Sequence, residues 1–231
     1  MTTRVAVVGA NGRVGSALVR HLAESHEVVA IERRPGESPA DIASRAADGV
    51  DVVVNAAGVA HLEQPTPADL ERLRVGNIDL PLALADAALR ERAHLIHISS
   101  VKATADATTE YGQSKYEADR RLEAEFGSRF AEAGLSLVIV RPLALLFPPF
   151  DAGKIARLRF LRYWPSVLMP PVRLPVLAPM VFLDAVAEAL DTIAERGSGH
   201  RDFERHERGT LANVRRAFRS HRCATEGNRE G

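Results

Sequence analysis

The chain has 231 residues and no net charge, its 30 lysines and arginines matching its 30 aspartates and glutamates. With 46% hydrophobic and 26% charged residues it has the composition of a globular protein, which excludes disordered, collagen-like and coiled-coil chains. The neutral balance gives no global reason to bind nucleic acid or an anionic membrane, and the single cysteine, Cys223, rules out an internal disulfide and points to a reducing compartment.

The opening apolar run, Val5 to Val8, is too short for the core of a signal peptide. The longest apolar stretches, Leu135 to Val140 and the proline-broken Leu174 to Leu183, fall far short of the about 20 residues that a spanning helix needs. A cytoplasmic protein with no membrane span is expected.

Short β-branched runs alternate with segments of helical period, the pattern of a parallel sheet with helices on both faces. Strands are predicted over Arg4 to Val8, Glu27 to Ile31, Asp51 to Asn55, Leu95 to Ser99 and Leu135 to Val140. Crossover helices are signalled by Val14, Leu18 and Leu22, and later by Leu82, Leu84, Ala88 and Leu89. The strands are continuous apolar runs, as burial on both faces requires. The predicted fold is α/β, a Rossmann-like doubly wound parallel sheet followed by a reduced C-terminal region.

The first strand runs into Gly9-Ala10-Asn11-Gly12-Arg13-Val14-Gly15 and then into an amphipathic segment. Glycines at this spacing between strand and helix allow a tight turn, close approach of backbone to a pyrophosphate, and close helix packing. The second strand ends in Glu32-Arg33-Arg34. An acid there accepts hydrogen bonds from ribose hydroxyls, whereas an arginine pairs with a 2′-phosphate. Glu32 in the acidic slot favours NAD, and Arg33 keeps NADP open.

Further along, His94-Leu95-Ile96-His97-Ile98-Ser99-Ser100 reads as a strand ending in hydroxyls, which places Ser100 at the ligand crevice of such a sheet. His94 and His97 are three apart on a strand, on opposite faces, and make a poor metal pair. No metal site is expected. Tyr111 and Lys115 are four apart at the start of a helical segment, so they share a face. A neighbouring ammonium, together with a positive nicotinamide ring, favours the phenolate, so the Tyr111 hydroxyl is expected to titrate below its usual value of about 10 and to act as general base.

Taken together, Gly9-x-x-Gly12-x-x-Gly15, Asn55-Ala56-Ala57-Gly58, Asn77 in Gly-Asn-Ile-Asp, Ser99-Ser100, Tyr111-x-x-x-Lys115 and Arg141-Pro142 occur in an order that resembles the short-chain dehydrogenase/reductase superfamily. The similarity is to its extended branch, the NAD-dependent epimerase/dehydratase family, over about residues 4–195. The resemblance implies that Ser100, Tyr111 and Lys115 are catalytic. It implies that Gly9, Asn11, Gly12, Arg13, Val14, Gly15, Glu32, Arg33, Asn55, Ala56, Ala57, Gly58, Asn77, Tyr111, Lys115 and Pro142 border NAD or NADP. The implied activity is an NAD(P)-dependent oxidoreductase or epimerase acting at a secondary alcohol or keto carbon of a nucleotide sugar or other small molecule. A non-catalytic dinucleotide-binding sensor or assembly subunit is the alternative, and a truncated relic a third reading. A homodimer stays open.

The sequence departs from that pattern in three places. Glu32 and Asp41 are so close that the strand and acidic loop that usually frame adenine are expected to be reduced. Ser100 and Tyr111 are separated by a short loop, and in Ala178-Pro179-Met180-Val181-Phe182-Leu183-Asp184 an alanine replaces the arginine expected to meet substrate phosphate. The predicted organisation is a dinucleotide-binding domain over 1–150, a reduced substrate-binding or lid region over 151–222 and a frayed tail over 223–231. Within the second part, Ile155, Leu158 and Leu161 beside Lys154, Arg157 and Arg162 suggest a basic lid helix. Helices are also expected from Asp184 to Glu195 and from Leu211 to Phe218.

Overall fold

In this computed structural model the strands are β1 (Arg4–Val8), β2 (Glu27–Ile31), β3 (Val52–Asn55), β4 (His94–Ile98), β5 (Leu137–Val140) and β6 (Arg201–Phe203). They form one sheet in the order β2-β1-β3-β4-β5-β6, every neighbouring pair parallel. The structure describes residues 2–59, 65–142, 186 and 201–203. All of them belong to one unit made of Met1–Pro142 and Ala185–Arg205.

The helices are α1 (Arg13–Leu22), α2 (Pro39–Ala47), α3 (Pro67–Arg74), α4 (Leu80–Arg90), α5 (Glu110–Arg121) and α6 (Gly127–Glu132). A π-helical turn, Val75–Asp79, joins α3 to α4, and a second, Leu122–Phe126, joins α5 to α6. The sequence reading did not single out α2 or α3. Both carry the same start signal, Ser38-Pro-Ala-Asp41 and Thr66-Pro-Ala-Asp69, in which hydroxyl and carboxylate cap each other's backbone amides and proline fills the first turn. The helix predicted through Tyr111 begins at Glu110, with Thr109 accepting from the Gly112 amide.

The strand ends shift by one or two residues from the predicted ones. Asp51 lies outside β3 because its carboxylate turns to accept from the Arg4 amide. Leu135 lies outside β5 because its amide closes the end of α6 on the Phe130 carbonyl. Ser99 follows β4. The strand β6 lies in a stretch read as merely polar, with no apolar run to announce it. The lid helix, the Ala178 to Asp184 motif, the helices after Asp184 and Leu211, the 151–222 region and the tail lie outside the described residues, save residues 186 and 201–203 of that region.

Alternation along β1 sorts the layers. Ala6 and Val8 join a core with Ile42, Ala43 and Ala46 of α2, Leu84 and Ala88 of α4, and Leu122, Phe126 and Phe130 of the α5–α6 run. Leu18 and Leu22 of α1 are buried outside that cluster. Right-handed crossovers explain this, because β1 to β2 moves one way along the sheet and β2 to β3 the other, which puts α1 and α2 on opposite faces. The reversal falls between β1 and β3. In an open parallel sheet ligands bind outside the carboxyl ends of the strands at such a point.

Candidate active site

The turn after β1 is a backbone construction. Gly9 has φ +83°, and a side chain on it would meet the Ala57 backbone at 2.7 Å. Its amide donates to the Ile31 carbonyl at 3.0 Å, while its own carbonyl accepts from Gly12 at 2.9 Å. A side chain on Gly15 would fall on that same Gly9 carbonyl oxygen. The chain therefore crosses itself as closely as it can and enters α1 through Gly12, an extended N-cap with no side-chain cap. Asn11 and Arg13 are exposed and Val14 half-buried beside the uncapped N-terminus. Uncapped first-turn amides and the helix dipole favour an anion there. Glu32 and Arg33, at the end of β2, are exposed.

The turn after β3 faces the glycine turn. Asn55 is fully buried, opposite His97 in the register of β3 and β4. The Asn55 Nδ2 donates to His97 Nδ1 across 3.1 Å, and its Oδ1 accepts from the Ala57 amide at 3.1 Å. That donation leaves the imidazole proton on Nε2, and burial, with the charges of Lys115 and Arg141, holds His97 neutral far below its usual range. Beyond Ala56, Ala57 and Gly58, both backbone groups of Val59 are gripped by one side chain. Asn77 accepts from the Val59 amide at 2.7 Å and donates to its carbonyl at 3.2 Å. Asn77 also donates to Ser114 Oγ at 3.0 Å and sits in the first π-helical turn. Such turns recur at functional sites because they re-aim one side chain without ending the helix.

The third element is the loop after β4 with the inner face of α5. Ser100 accepts from the Lys102 amide at 3.2 Å, and its hydroxyl sits close enough to the Tyr111 phenol to act on its titration. Lys115 is 3% exposed; its ammonium donates to the Ile98 carbonyl at 3.2 Å, and Gly58 packs against it. One turn on, Asp119 is 1% exposed and accepts from Ser99 Oγ at 2.7 Å and Arg141 Nε at 2.9 Å. Arg141 also reaches Glu123 at 3.1 Å, and the Pro142 carbonyl accepts from Val101. Helix α5 is thus bolted to the end of β4 at two successive residues, Ile98 and Ser99, which fixes Tyr111 over Ser100.

The electrostatics show that the protein's own groups do not lower the Tyr111 phenol. Burial raises the Tyr111 phenol above its usual range; the Ser100 hydrogen bond opposes this and the charge on Asp119 adds to it. Burial pulls the Lys115 ammonium down to about 8, with Asp119 opposing. Burial raises the Asp119 carboxyl against hydrogen bonds from Arg141 and Ser99. The protein by itself therefore holds Tyr111 as a phenol, because a buried site disfavours the charged form of the acid and of the base alike.

The structure brings together the glycine turn, the Asn55 to Gly58 turn, Asn77, Ser100, Tyr111 and Lys115, which come from three strand ends, one π-helical turn and one helix. Glu32 and Arg33 lie on the β2 side of this group, next to the glycine turn through the Ile31 carbonyl. His97, Ser114, Asp119 and the ion pair of Arg141 were not read from the sequence as parts of the site. A signal for Asp119 was there, since it extends the four-residue spacing of Tyr111 and Lys115 by one more step. His94 is half-buried and accepts from the Ser136 amide at 2.9 Å, away from His97. Among the described residues no group of three His, Cys, Asp or Glu side chains could hold a metal ion, and no helix is long and apolar enough to cross a membrane.

Comparison with known proteins places this arrangement. A UDP-2-acetamido-2,6-β-L-arabino-hexul-4-ose reductase from Pseudomonas aeruginosa is 38% identical over 127 residues, which is 52% of this chain and 31% of that enzyme. The match thus spans about a third of its length. The solved UDP-glucuronic acid 4-epimerase of Bacillus cereus, in complex with NAD, superposes with TM-score 0.62 at 16% identity, over 87% of this chain and 76% of its own. A dTDP-4-dehydrorhamnose reductase from Bacillus anthracis, in complex with NADP, gives 0.61 at 14%, over 96% and 82%. These two likenesses establish the Rossmann-like fold. The sequence profile of the NAD dependent epimerase/dehydratase family matches residues 5–159, from the first strand through the whole site, and the chain belongs to that family.

Proposed function

We propose that the protein is an NAD(P)-dependent oxidoreductase of the epimerase/dehydratase type, working at a keto carbon or secondary alcohol of a nucleotide sugar or related small molecule. The observation that carries this reading is Tyr111 set beside Ser100, with buried Lys115 one turn further along the same helix face, at the carboxyl ends of the parallel strands. Residues 1–150 are read as the dinucleotide-binding part and 151–222 as the substrate-binding part. A cytoplasmic setting, with no nucleic-acid partner, belongs to the same reading, and gel filtration decides whether a homodimer forms.

The residues present suit a dinucleotide. The uncapped start of α1 offers backbone N–H groups to a pyrophosphate, and Glu32 offers a carboxylate to ribose hydroxyls. Gly9, Asn11, Gly12, Arg13, Val14, Gly15, Arg33, Asn55, Ala56, Ala57, Gly58, Asn77 and Pro142 complete its border. When bound, the nicotinamide supplies hydride donation or acceptance. The protein supplies the proton. With Tyr111 held protonated, its hydroxyl gives a proton to a carbonyl oxygen as that oxygen becomes an alkoxide, Ser100 orients the oxygen, and the Lys115 ammonium stabilises the phenolate left behind. The alcohol-forming direction therefore matches the resting state of the site.

The Pseudomonas relative is named as a reductase of a UDP-linked hexul-4-ose, which makes UDP-linked keto sugars the first substrates to try. The test follows NADH and NADPH absorbance with a panel of such sugars. Tight cofactor binding without turnover on the panel, or with ligands recovered from cell extract by mass spectrometry, would support the sensor instead.

A further inference from the structure

The loop between β2 and α2 is tied by a single arginine. Arg45, on α2, grips Glu37 with two parallel bonds of 2.9 Å, from Nε to Oε1 and from Nη2 to Oε2. The same Nη2 donates to the Glu32 carbonyl at 2.7 Å. Glu37 in turn accepts from the Arg34 amide at 2.8 Å, and its own amide returns a bond to the Arg34 carbonyl at 3.2 Å. Among the described residues this loop is thus held mainly by the Arg45–Glu37 pair and by the capped start of α2. The loop carries Glu32, Arg33 and Arg34, whose side chains are all exposed.

Two consequences follow from the chemistry. A two-pronged guanidinium–carboxylate pair has fixed geometry, so the Glu32 backbone is held where β2 ends rather than free to swing. The pair is also neutral. Arg45 lies one hydrogen bond from the residue in the ribose slot, yet its charge is matched by Glu37 and its donors on that side are occupied. Those contacts also hold the Glu37 carboxyl below the usual carboxylate range, the Arg34 amide contributing most.

We infer that the Arg45–Glu37 pair sets the preference for NAD over NADP, by fixing Glu32 in the ribose slot and by keeping the positive charge of Arg45 from a 2′-phosphate. This rests on the dinucleotide-binding reading above. Arg45 and Glu37 act here as positioning residues, through Glu32 and through a charge withheld.

The experiment titrates NADH and NADPH separately by fluorescence on the full chain, comparing wild type, Glu37→Gln, Arg45→Met and, as a control on a remote exposed pair, Arg90→Met. Glu37→Gln leaves Arg45 uncompensated and is expected to tighten NADPH relative to NADH about tenfold, the scale of one charge-assisted bond. Arg45→Met is expected to lower the preference differently, by weakening NADH with no gain for NADPH. Arg90→Met should leave the ratio unchanged. Ratios within about twofold of wild type in both loop variants, with melting transitions intact, would overturn the inference. Should a loop variant fail to fold, Arg45→Lys keeps the charge but loses the fork, and an unchanged ratio there overturns it equally. A wild-type chain that binds neither nucleotide would instead remove the dinucleotide reading itself, a result distinct from an unchanged ratio.

Discussion

The two walls of the crevice are built on different physics. On one side the glycine turn and the β2 loop shape the site with backbone, and their side chains from Asn11 to Arg13 and from Glu32 to Arg34 are mostly exposed. On the other side Asn55, His97, Ser99, Lys115 and Asp119 are all buried, with Arg141 closing the group, so charge is held away from water by a mesh of hydrogen bonds. The first wall tolerates changes of side chain and fails when backbone space is taken. The second tolerates little, because removing one partner leaves another buried group unmatched.

The largest expected effect separates chemistry from both walls. Tyr111→Phe keeps the ring and removes the proton, so turnover should fall by about 10²- to 10⁴-fold while nucleotide titration and melting temperature hardly move. An equal loss of nucleotide affinity would mean that Tyr111 belongs to the binding wall. Next comes the charged wall. Asp119→Ala strips the partner of Arg141 and Ser99 and removes the negative charge felt by Lys115, and urea unfolding should show stability lowered by about 3–5 kcal/mol at unchanged slope. A loss under about 1 kcal/mol would show that Glu123 alone suffices for Arg141.

The backbone wall is tested by Gly15→Ala, whose added carbon falls on the Gly9 carbonyl. A cost of about 1–3 kcal/mol is expected, together with weaker nucleotide binding, and a neutral substitution would show that the turn can open. The smallest effect is a pH dependence. Lys115 titrates near 8 in the folded chain against 10.5 ordinarily, so between those values the unfolded chain binds more protons and stability rises with pH. Unfolding midpoints should climb from pH 8 towards 9.5, before the Tyr111 phenol, raised above 10.0 in the fold, begins to act in the opposite sense. Lys115→Met should flatten the climb.

Legibility followed the same divide. The glycine turn, the five strands β1 to β5 and the Tyr111 and Lys115 pair could be read in advance, because each depends on spacing within a few residues: a glycine where a side chain has no room, a four-residue step along one helix face, an apolar run long enough for one strand. The capping signals at Ser38 and Thr66 are equally local, a hydroxyl and a carboxylate three residues apart around a first-turn proline. The strand β6 could not be found this way, since Arg201, Asp202 and Phe203 carry no apolar pattern and become a strand by pairing with β5.

The sequence by itself determined the doubly wound sheet, the glycine turn after β1 and which residues of α5 share a face, since those follow from local sterics and period. Only the tertiary structure decided that Asn55 faces His97, that Asp119 gathers Ser99 and Arg141, that Arg45 ties the loop after β2, and that Tyr111 rests as a phenol. The reason is physical: a pairing between residues tens of positions apart exists only once the strands are in register, and the cost of charge depends on how much water the finished fold removes.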